Sequence, residues 1–237
     1  MKKKSFGIYI PSYKRSDTIT THKWLEYYKV VVRKSEEEDY EKVIPKENII
    51  AVEDKEINSL EKVLNWINEN SKEDIICVLG DDVNYFQYRL DTNKKIEDKD
   101  LIIGEIERIA QLLDDLNVGY ACITATGVPW GYDQEIAFKG TSGGMFWINK
   151  EKFKSKNDEE IGYCMDTNIV LNELLLNRIV LVPKYLTMVA GTDTNKGGNS
   201  GKTRDSMVTS FELMKKKWGK YFDYDLKTNK IFIRVKR

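Results

Sequence analysis

Of the side chains that most often hold zinc, this 237-residue chain has one histidine, His22, and three cysteines, Cys77, Cys122 and Cys164. No cysteine stands in a CxxC or Cys/His spacing and each lies in an apolar run. That argues against structural zinc and suits small core residues in a reducing compartment. Long apolar runs are also missing. Nothing approaches a membrane span, and Phe6 to Ile10, after the basic Met1-Lys2-Lys3-Lys4, is too short for a signal-peptide core, so the chain reads as cytosolic. A net charge of one sign is absent too: 38 Lys and Arg face 38 Asp and Glu, a balance that points to neither nucleic acid nor membrane. There is no internal repeat or low-complexity block, and the acidic run Glu36-Glu37-Glu38-Asp39 reads as a solvated linker.

With 41% hydrophobic and 32% charged residues, the chain can bury a sizeable core in one domain, or one domain with an appendage, and disorder is not expected. The charge is unevenly placed. From Lys196 onward twelve cations face four anions, with Trp218, Tyr221, Phe222 and Tyr224 interleaved. Such a run reads either as a solvated helix face and edge hairpin or as a surface for a phosphate backbone.

Phe6-Gly7-Ile8-Tyr9-Ile10, stopped by Pro11, reads as a buried strand opening into the loop Pro11-Ser12-Tyr13-Lys14-Arg15. Ser16 then caps an expected helix to about Val32, with His22 packed or solvated within it. Asn48 to Glu53 reads as a second strand, followed by a helix carrying Ile57, Leu60, Val63, Leu64 and Ile67. Ile75 to Leu79 is a third strand. A polar loop, a helix from Leu101 to Leu116 and a fourth strand, Tyr120 to Thr124, come next. This alternation predicts a mostly parallel sheet with helices on both faces and a ligand crevice beyond the strands' carboxyl ends. The second half is less regular. It reads as a strand at Met145 to Ile148, a helix from about Asp166 to Asn177, a strand at Ile179 to Val182, a mobile glycine-rich loop at 191–202, a helix near Ser206 to Trp218 and a hairpin from Phe222 to Val235.

Asp81 and Asp82 follow the third strand directly. Adjacent carboxylates in a partly buried loop repel and lose hydration, a cost that a divalent cation removes. Mg²⁺ or Mn²⁺ prefers oxygen ligands, takes few protein carboxylates and completes its shell with substrate phosphates. A plain Asp-Asp turn leading into a helix cap is the competing reading. Asp166 opens its helix either as a simple cap or as a crevice group, acting as general base or stabilising a developing cation on a sugar. In the glycine-rich loop, Lys196 and Lys202 are candidate phosphate clamps. Asp193 is a further candidate metal ligand or a surface turn. This is not a P-loop, since GxxxxGK[ST] would need glycine where Lys196 stands. Gly143-Gly144 is either a bend or a place where a ligand meets the backbone.

The order of these pieces resembles that of GT-A type glycosyltransferases. Ile10-Pro11-Ser12-Tyr13-Lys14-Arg15 ends the first strand, Glu53-Asp54 the second, and Leu79-Gly80-Asp81-Asp82-Val83 stands where that group has its DxD-type motif. A Gly-Gly strand follows, and Met165-Asp166 falls where many members have an acidic pair, the whole likeness covering about Phe6 to Pro183. Gly191-Thr192-Asp193, Asn195-Lys196-Gly197-Gly198 and the run from Phe211 to Phe222 are similar to phage glycosyltransferases associated with TET/JBP-type pyrimidine oxygenases. That resemblance implies a GT-A, Rossmann-like α/β fold with a C-terminal helix plus hairpin. Residues 1–190 would be the catalytic domain, and the loop and basic helix/hairpin of 191–237 would pack on it. It also implies transfer of a sugar from a UDP-type donor, with Mn²⁺ or Mg²⁺, to a hydroxymethylated pyrimidine in DNA, in the host cytoplasm if phage-encoded. Pro11, Ser12, Tyr13, Arg15, Glu53, Asp81, Gly143, Gly144, Lys196 and Lys202 would hold the donor, and Asp82, with Asp81 and Asp193, the metal. Two positions depart from the pattern. Gly80 replaces the first acid of a DDD-like triplet, which makes Asp82 the principal ligand. Met165 precedes Asp166, which leaves Asp166 alone in the base role and both inverting and retaining chemistry open. A polysaccharide or protein acceptor, and a non-catalytic DNA-binding protein, remain the alternatives.

Overall fold

The computed structural model describes residues 4–124, 132–191, 203–228 and 230–236. The chain runs through β1 (Phe6–Pro11), β2 (Lys29–Arg33), α1 (Glu37–Tyr40), β3 (Ile49–Val52), α2 (Leu60–Asn70) and β4 (Ile75–Leu79). It continues with β5 (Val83–Arg89), β6 (Asn93–Ile96), α3 (Lys99–Asp115), β7 (Tyr120–Cys122), β8 (Ile136–Ala137), β9 (Met145–Asn149) and α4 (Met165–Leu176). Last come β10 (Val182–Pro183), β11 (Leu186–Ala190), α5 (Arg204–Trp218), β12 (Phe222–Asp225) and β13 (Lys230–Ile233).

Six strands make the central sheet in the order β3-β2-β1-β4-β9-β7, with β3, β2, β1 and β4 parallel and β9 antiparallel to both its neighbours. Side chains alternate between the two faces of a strand, so the apolar runs feed two cores. Ile8, Ile10, Val30, Val32, Cys77 and Leu79 meet Ile102, Ile106, Ile109 and Leu113 of α3 on one face. On the other, Tyr9, Val31, Ile76 and Val78 meet Val63, Leu64 and Ile67 of α2 and Ile169, Val170 and Leu174 of α4. All five residues of β4 are buried, which is why that segment reads as an unbroken apolar run. From β1 the chain builds the sheet outward through β2 and β3, then returns through α2 to place β4 on the other side of β1. That reversal puts the sheet's switch point, and the crevice that such a point creates, between the carboxyl ends of β1 and β4.

A second, antiparallel sheet, β11-β5-β6, follows the end of β4, with β5 leaving directly after Gly80-Asp81-Asp82. The expected polar loop after Gly80 is therefore a hairpin: Val83 and Phe86 are fully buried, but Gln87 and Arg89 are buried too, so simple alternation is lost. The expected helix from Ser16 to Val32 also differs. A four-residue 3-10 turn at Thr21–Trp24 precedes β2, whose Val30-Val31-Val32 run is β-branched and favours the pleated conformation. At the far end, Leu181 bridges in parallel to Ala121 before β10 pairs with β8. The helix α5 starts from a reciprocal Thr203/Ser206 capping box. It lays Phe211 and Met214, with Phe222 of β12, on Ile161, Cys164 and Leu171. No helix among the described residues is long and apolar enough to cross a membrane.

Candidate active site

The loop after β1 and the loop after β4 meet at hydrogen-bonding distance. Lys14 adopts φ of 54°, uncommon outside glycine, and turns the chain so that Arg15 faces back across the sheet end. Its Nη1 donates to Asp81 Oδ1 at 2.7 Å and to Asp82 Oδ2 at 3.2 Å. Ser12 Oγ donates to the other Asp81 oxygen at 2.5 Å and lies 2.6 Å from Tyr40 Oη, which also accepts from the Arg15 backbone N–H at 3.2 Å. Both oxygens of Asp81 are thus engaged, and its side chain is 6% exposed against 21% for Asp82. Burial works against the Arg15 charge, yet the two carboxylates outweigh it and hold the guanidinium above its ordinary pKa. Burial also pushes the Tyr40 phenol up to about 12, so it stays a neutral hydrogen-bonding group.

The backbone of the carboxylate loop is pinned from three directions. Thr21 Oγ1 donates to Gly80 O at 2.6 Å and accepts from Val83 N at 3.0 Å, while the N–H groups of Thr20 and Thr21 reach Asp81 O at 2.9 and 3.3 Å. Gly80 N donates to Gly144 O at 3.3 Å, and Gly191 N to Asp82 O at 2.9 Å. Gly144 has φ of 84°, a conformation for which glycine is suited, and a side chain there would meet the Met188 methyl at 3.3 Å. Gly143 precedes it, half-buried.

Pro11 ends β1 beside Val31, and the Tyr13 ring beyond it carries the Arg33 guanidinium at 3.9 Å. Glu53 is exposed just past β3. Its neighbour Asp54 is the more constrained acid: Ser35 donates to it through both hydroxyl and backbone, which lowers its pKa. Asp166 lies in the first turn of α4 and accepts from Thr167 N at 2.6 Å. It sits near the end of β7, where burial and then the Asp166 charge raise the Cys122 thiol, and the buried Tyr120 phenol feels the same charge. Only β9 separates β7 from β4, two strand spacings or about 10 Å. Asp193, Lys196 and Lys202 lie outside the described residues.

Sequence reasoning passed over Thr20, Thr21, Tyr40 and Ser142. The last is 7% exposed, with its hydroxyl buried against Tyr120 and Cys122 beside the Gly-Gly bend. A polar Thr-Thr pair between apolar Ile19 and Leu25 was the one visible signal for the clamp.

Among the described residues, two carboxylates and one guanidinium meet in this corner. Hard oxygen donors, one of them partly open to the crevice, fit a divalent ion that keeps few protein ligands and takes the rest from phosphate and water. Among the described residues no group of three or more His, Cys, Asp and Glu could enclose an ion unaided.

The fold is shared with solved structures of low sequence identity. The mannosyltransferase PcManGT from Pyrobaculum calidifontis, in complex with GDP-Man and Mn²⁺, is 12% identical with a TM-score of 0.57, over 91% of this chain and 65% of that one. TarS 1-349 of S. aureus is 13% identical with a TM-score of 0.50, over 89% of this chain and 64% of that one. Glucosyl-3-phosphoglycerate synthase from Mycobacterium tuberculosis, in complex with Mn²⁺, UDP and glucosyl-3-phosphoglycerate, is 9% identical with a TM-score of 0.52, over 89% and 77%. The chain spans just under two thirds of the length of the first two. No curated protein sequence matches it. Those likenesses establish a GT-A architecture. Residues 6–127, which carry β1, the Arg15 loop and both carboxylates, match the TET-Associated Glycosyltransferase family, and the chain belongs to that family.

Proposed function

We propose that the protein transfers a sugar from a UDP-type nucleotide donor to a hydroxymethylated pyrimidine base in DNA with the help of Mn²⁺ or Mg²⁺. The observation that carries this reading is the carboxylate pair at the switch point of the sheet, with Asp82 the more open of the two. Asp82 would hold the metal, which when bound would neutralise the diphosphate leaving group. Tyr13, Arg15 and Glu53 would hold the nucleotide. Asp166 would act across the crevice: as base, it takes the proton of the acceptor hydroxyl while that oxygen bonds to the anomeric carbon and the bond to the diphosphate breaks. A base stacked in a duplex cannot reach such a crevice, so the acceptor would be flipped out.

The family description and the basic C-terminal surface support DNA as acceptor. Lys216, Lys220, Lys227 and Lys230 are exposed on α5, the 3-10 turn after it and the hairpin beyond. A second reading, in which the acceptor is a polysaccharide or protein, draws on the ion pairs that other cations of this surface already make. Lys217 reaches Asp158 at 2.8 Å, and Lys215 and Arg234 share Asp223 at 3.5 and 3.4 Å.

The test is mass spectrometry of hydroxymethylated and unmodified DNA after incubation with a panel of nucleotide sugars. A hexose or pentose mass added only to the hydroxymethylated base is expected, and Asp82→Ala should reduce transfer by at least about a hundredfold, the scale of several kcal/mol of lost charge stabilisation. Undiminished transfer by Asp82→Ala would rule out the metal assignment. Absence of a mass shift on any DNA, with donor hydrolysis intact, would favour the second reading.

A further inference from the structure

We infer that Arg15 is the built-in counter-ion of the carboxylate pair and must be exchanged for a metal–diphosphate unit, so that this chain binds a divalent ion well only together with a nucleotide. The inference rests on the proposed metal-dependent use of a nucleotide donor.

One nitrogen, Arg15 Nη1, bridges both carboxylates at 2.7 and 3.2 Å, and the side chain is 13% exposed. Water therefore screens little of its charge. A divalent ion approaching Asp82 alone would gain one carboxylate that is already shared and would face a guanidinium at close range. A diphosphate changes this balance, because its oxygens can accept bidentate bonds from the planar guanidinium in place of the carboxylates and supply the ligands that complete the metal's shell.

The backbone on both sides of the pair is held by bonds that do not involve the guanidinium. Arg15 N is held by Tyr40 Oη, and Arg15 O accepts from Thr18 N and Ile19 N at 3.0 and 2.8 Å, so the main chain on either side of the side chain is tethered. When the guanidinium departs, Asp81 keeps the Ser12 hydroxyl, and the loop keeps its bonds to Thr20, Thr21, Gly144 and Gly191. None of these bonds runs through the guanidinium.

The experiment is titration of Mn²⁺, followed by the electron paramagnetic resonance signal of the free ion. It uses the full chain, Arg15→Gln, Arg15→Lys and Asp82→Asn, alone and with UDP, GDP or inorganic pyrophosphate. For the unsubstituted chain, at least one of the three phosphates should tighten Mn²⁺ binding by roughly tenfold or more, the effect of relieving about 1.4 kcal/mol of charge repulsion. Arg15→Gln should bind Mn²⁺ without nucleotide roughly tenfold more tightly than the unsubstituted chain. Arg15→Lys, which keeps the charge, should resemble the unsubstituted chain. Equal affinity for Arg15→Gln and the unsubstituted chain, with phosphate-dependent binding that Asp82→Asn removes, overturns the inference and leaves the metal reading standing. Absence of Mn²⁺ binding in every state overturns both. Should Arg15→Gln fail to fold, the phosphate dependence of the unsubstituted chain decides alone, and affinity that is the same with and without phosphate refutes the exchange.

Discussion

Thr21→Val is the substitution that best isolates what holds the carboxylates in place. Valine matches threonine in shape, and Thr21 is fully buried, so packing changes little. What goes is the hydroxyl that bridges Gly80 O at 2.6 Å and Val83 N at 3.0 Å. Both backbone groups would stay in the interior with those partners gone, at about 1 to 3 kcal/mol each. Relaxation will recover part, so a total loss of about 2 to 4 kcal/mol is expected. At about 2 to 4 °C per kcal/mol for a chain of this size, that lowers the melting temperature by roughly 4 to 16 °C. The assay is paired thermal and urea denaturation of Thr21→Val and Thr21→Ser, with donor hydrolysis measured alongside. Thr21→Ser restores the hydroxyl and should recover most of the stability. Activity of Thr21→Val, measured well below its melting temperature, should fall as well, because the same bonds fix the backbone on either side of Asp81 and Asp82. Thr21→Val within about 0.5 kcal/mol of the unsubstituted chain, the range of an ordinary surface change, would show that the clamp is not formed as described.

Gly144→Ala should cost about 1 to 2 kcal/mol from the left-handed backbone alone, with a smaller contribution from the flexible Met188 methyl; an unchanged urea midpoint would refute the conformation assigned to it. Stability should also fall steeply in alkali. Burial holds the Tyr40 phenol near 12 and raises Tyr9, Tyr27 and Tyr185 above their usual range. Below about pH 10 both folded and unfolded chains keep these protons; above it the unfolded chain releases them first, so stability drops from about pH 10 through the folded values. Urea midpoints between pH 8 and 11.5, read beside tyrosinate absorbance, check this, and a midpoint that is flat to pH 11.5 would contradict it. Removing two of the exposed cations, as in Lys216→Ala with Lys220→Ala, should flatten the salt dependence of DNA binding by up to about two in log-log slope, and an unchanged slope would take those residues off the DNA path.

Much of the first half was legible because its elements are simple in pattern. β4 is continuously apolar, α2 and α3 keep helical spacing, and Gly80-Asp81-Asp82 follows a buried strand wherever one looks from. The misreadings have physical sources. Residues 16–32 hold enough apolar positions at helical intervals to imitate a helix, and only the β-branched Val30-Val31-Val32 run argues otherwise. The β5–β6 hairpin buries Gln87 and Arg89 and exposes Asn84, so its polarity pattern points away from a strand. The site's inner contacts were invisible for another reason. Arg15 and Asp81 are 66 positions apart, and Ser12 and Tyr40 are 28 apart. Nothing local in a sequence distinguishes an arginine that awaits a phosphate from one that neutralises two aspartates.

The packing of α5 bears on how freely such proteins can exchange their tails. Its Phe211 and Met214 cover Cys164 and Leu171, and Trp218 Nε1 donates to Asn168 Oδ1 at 2.9 Å, two residues along α4 from Asp166. The basic tail therefore doubles as the roof of the helix that presents Asp166. A recombination joining the first 190 residues to a foreign tail would inherit bare apolar surface on α4 along with the loss of charge. Replacing exposed lysines on the outside of α5 would leave this packing intact, whereas replacing α5 itself would uncover α4.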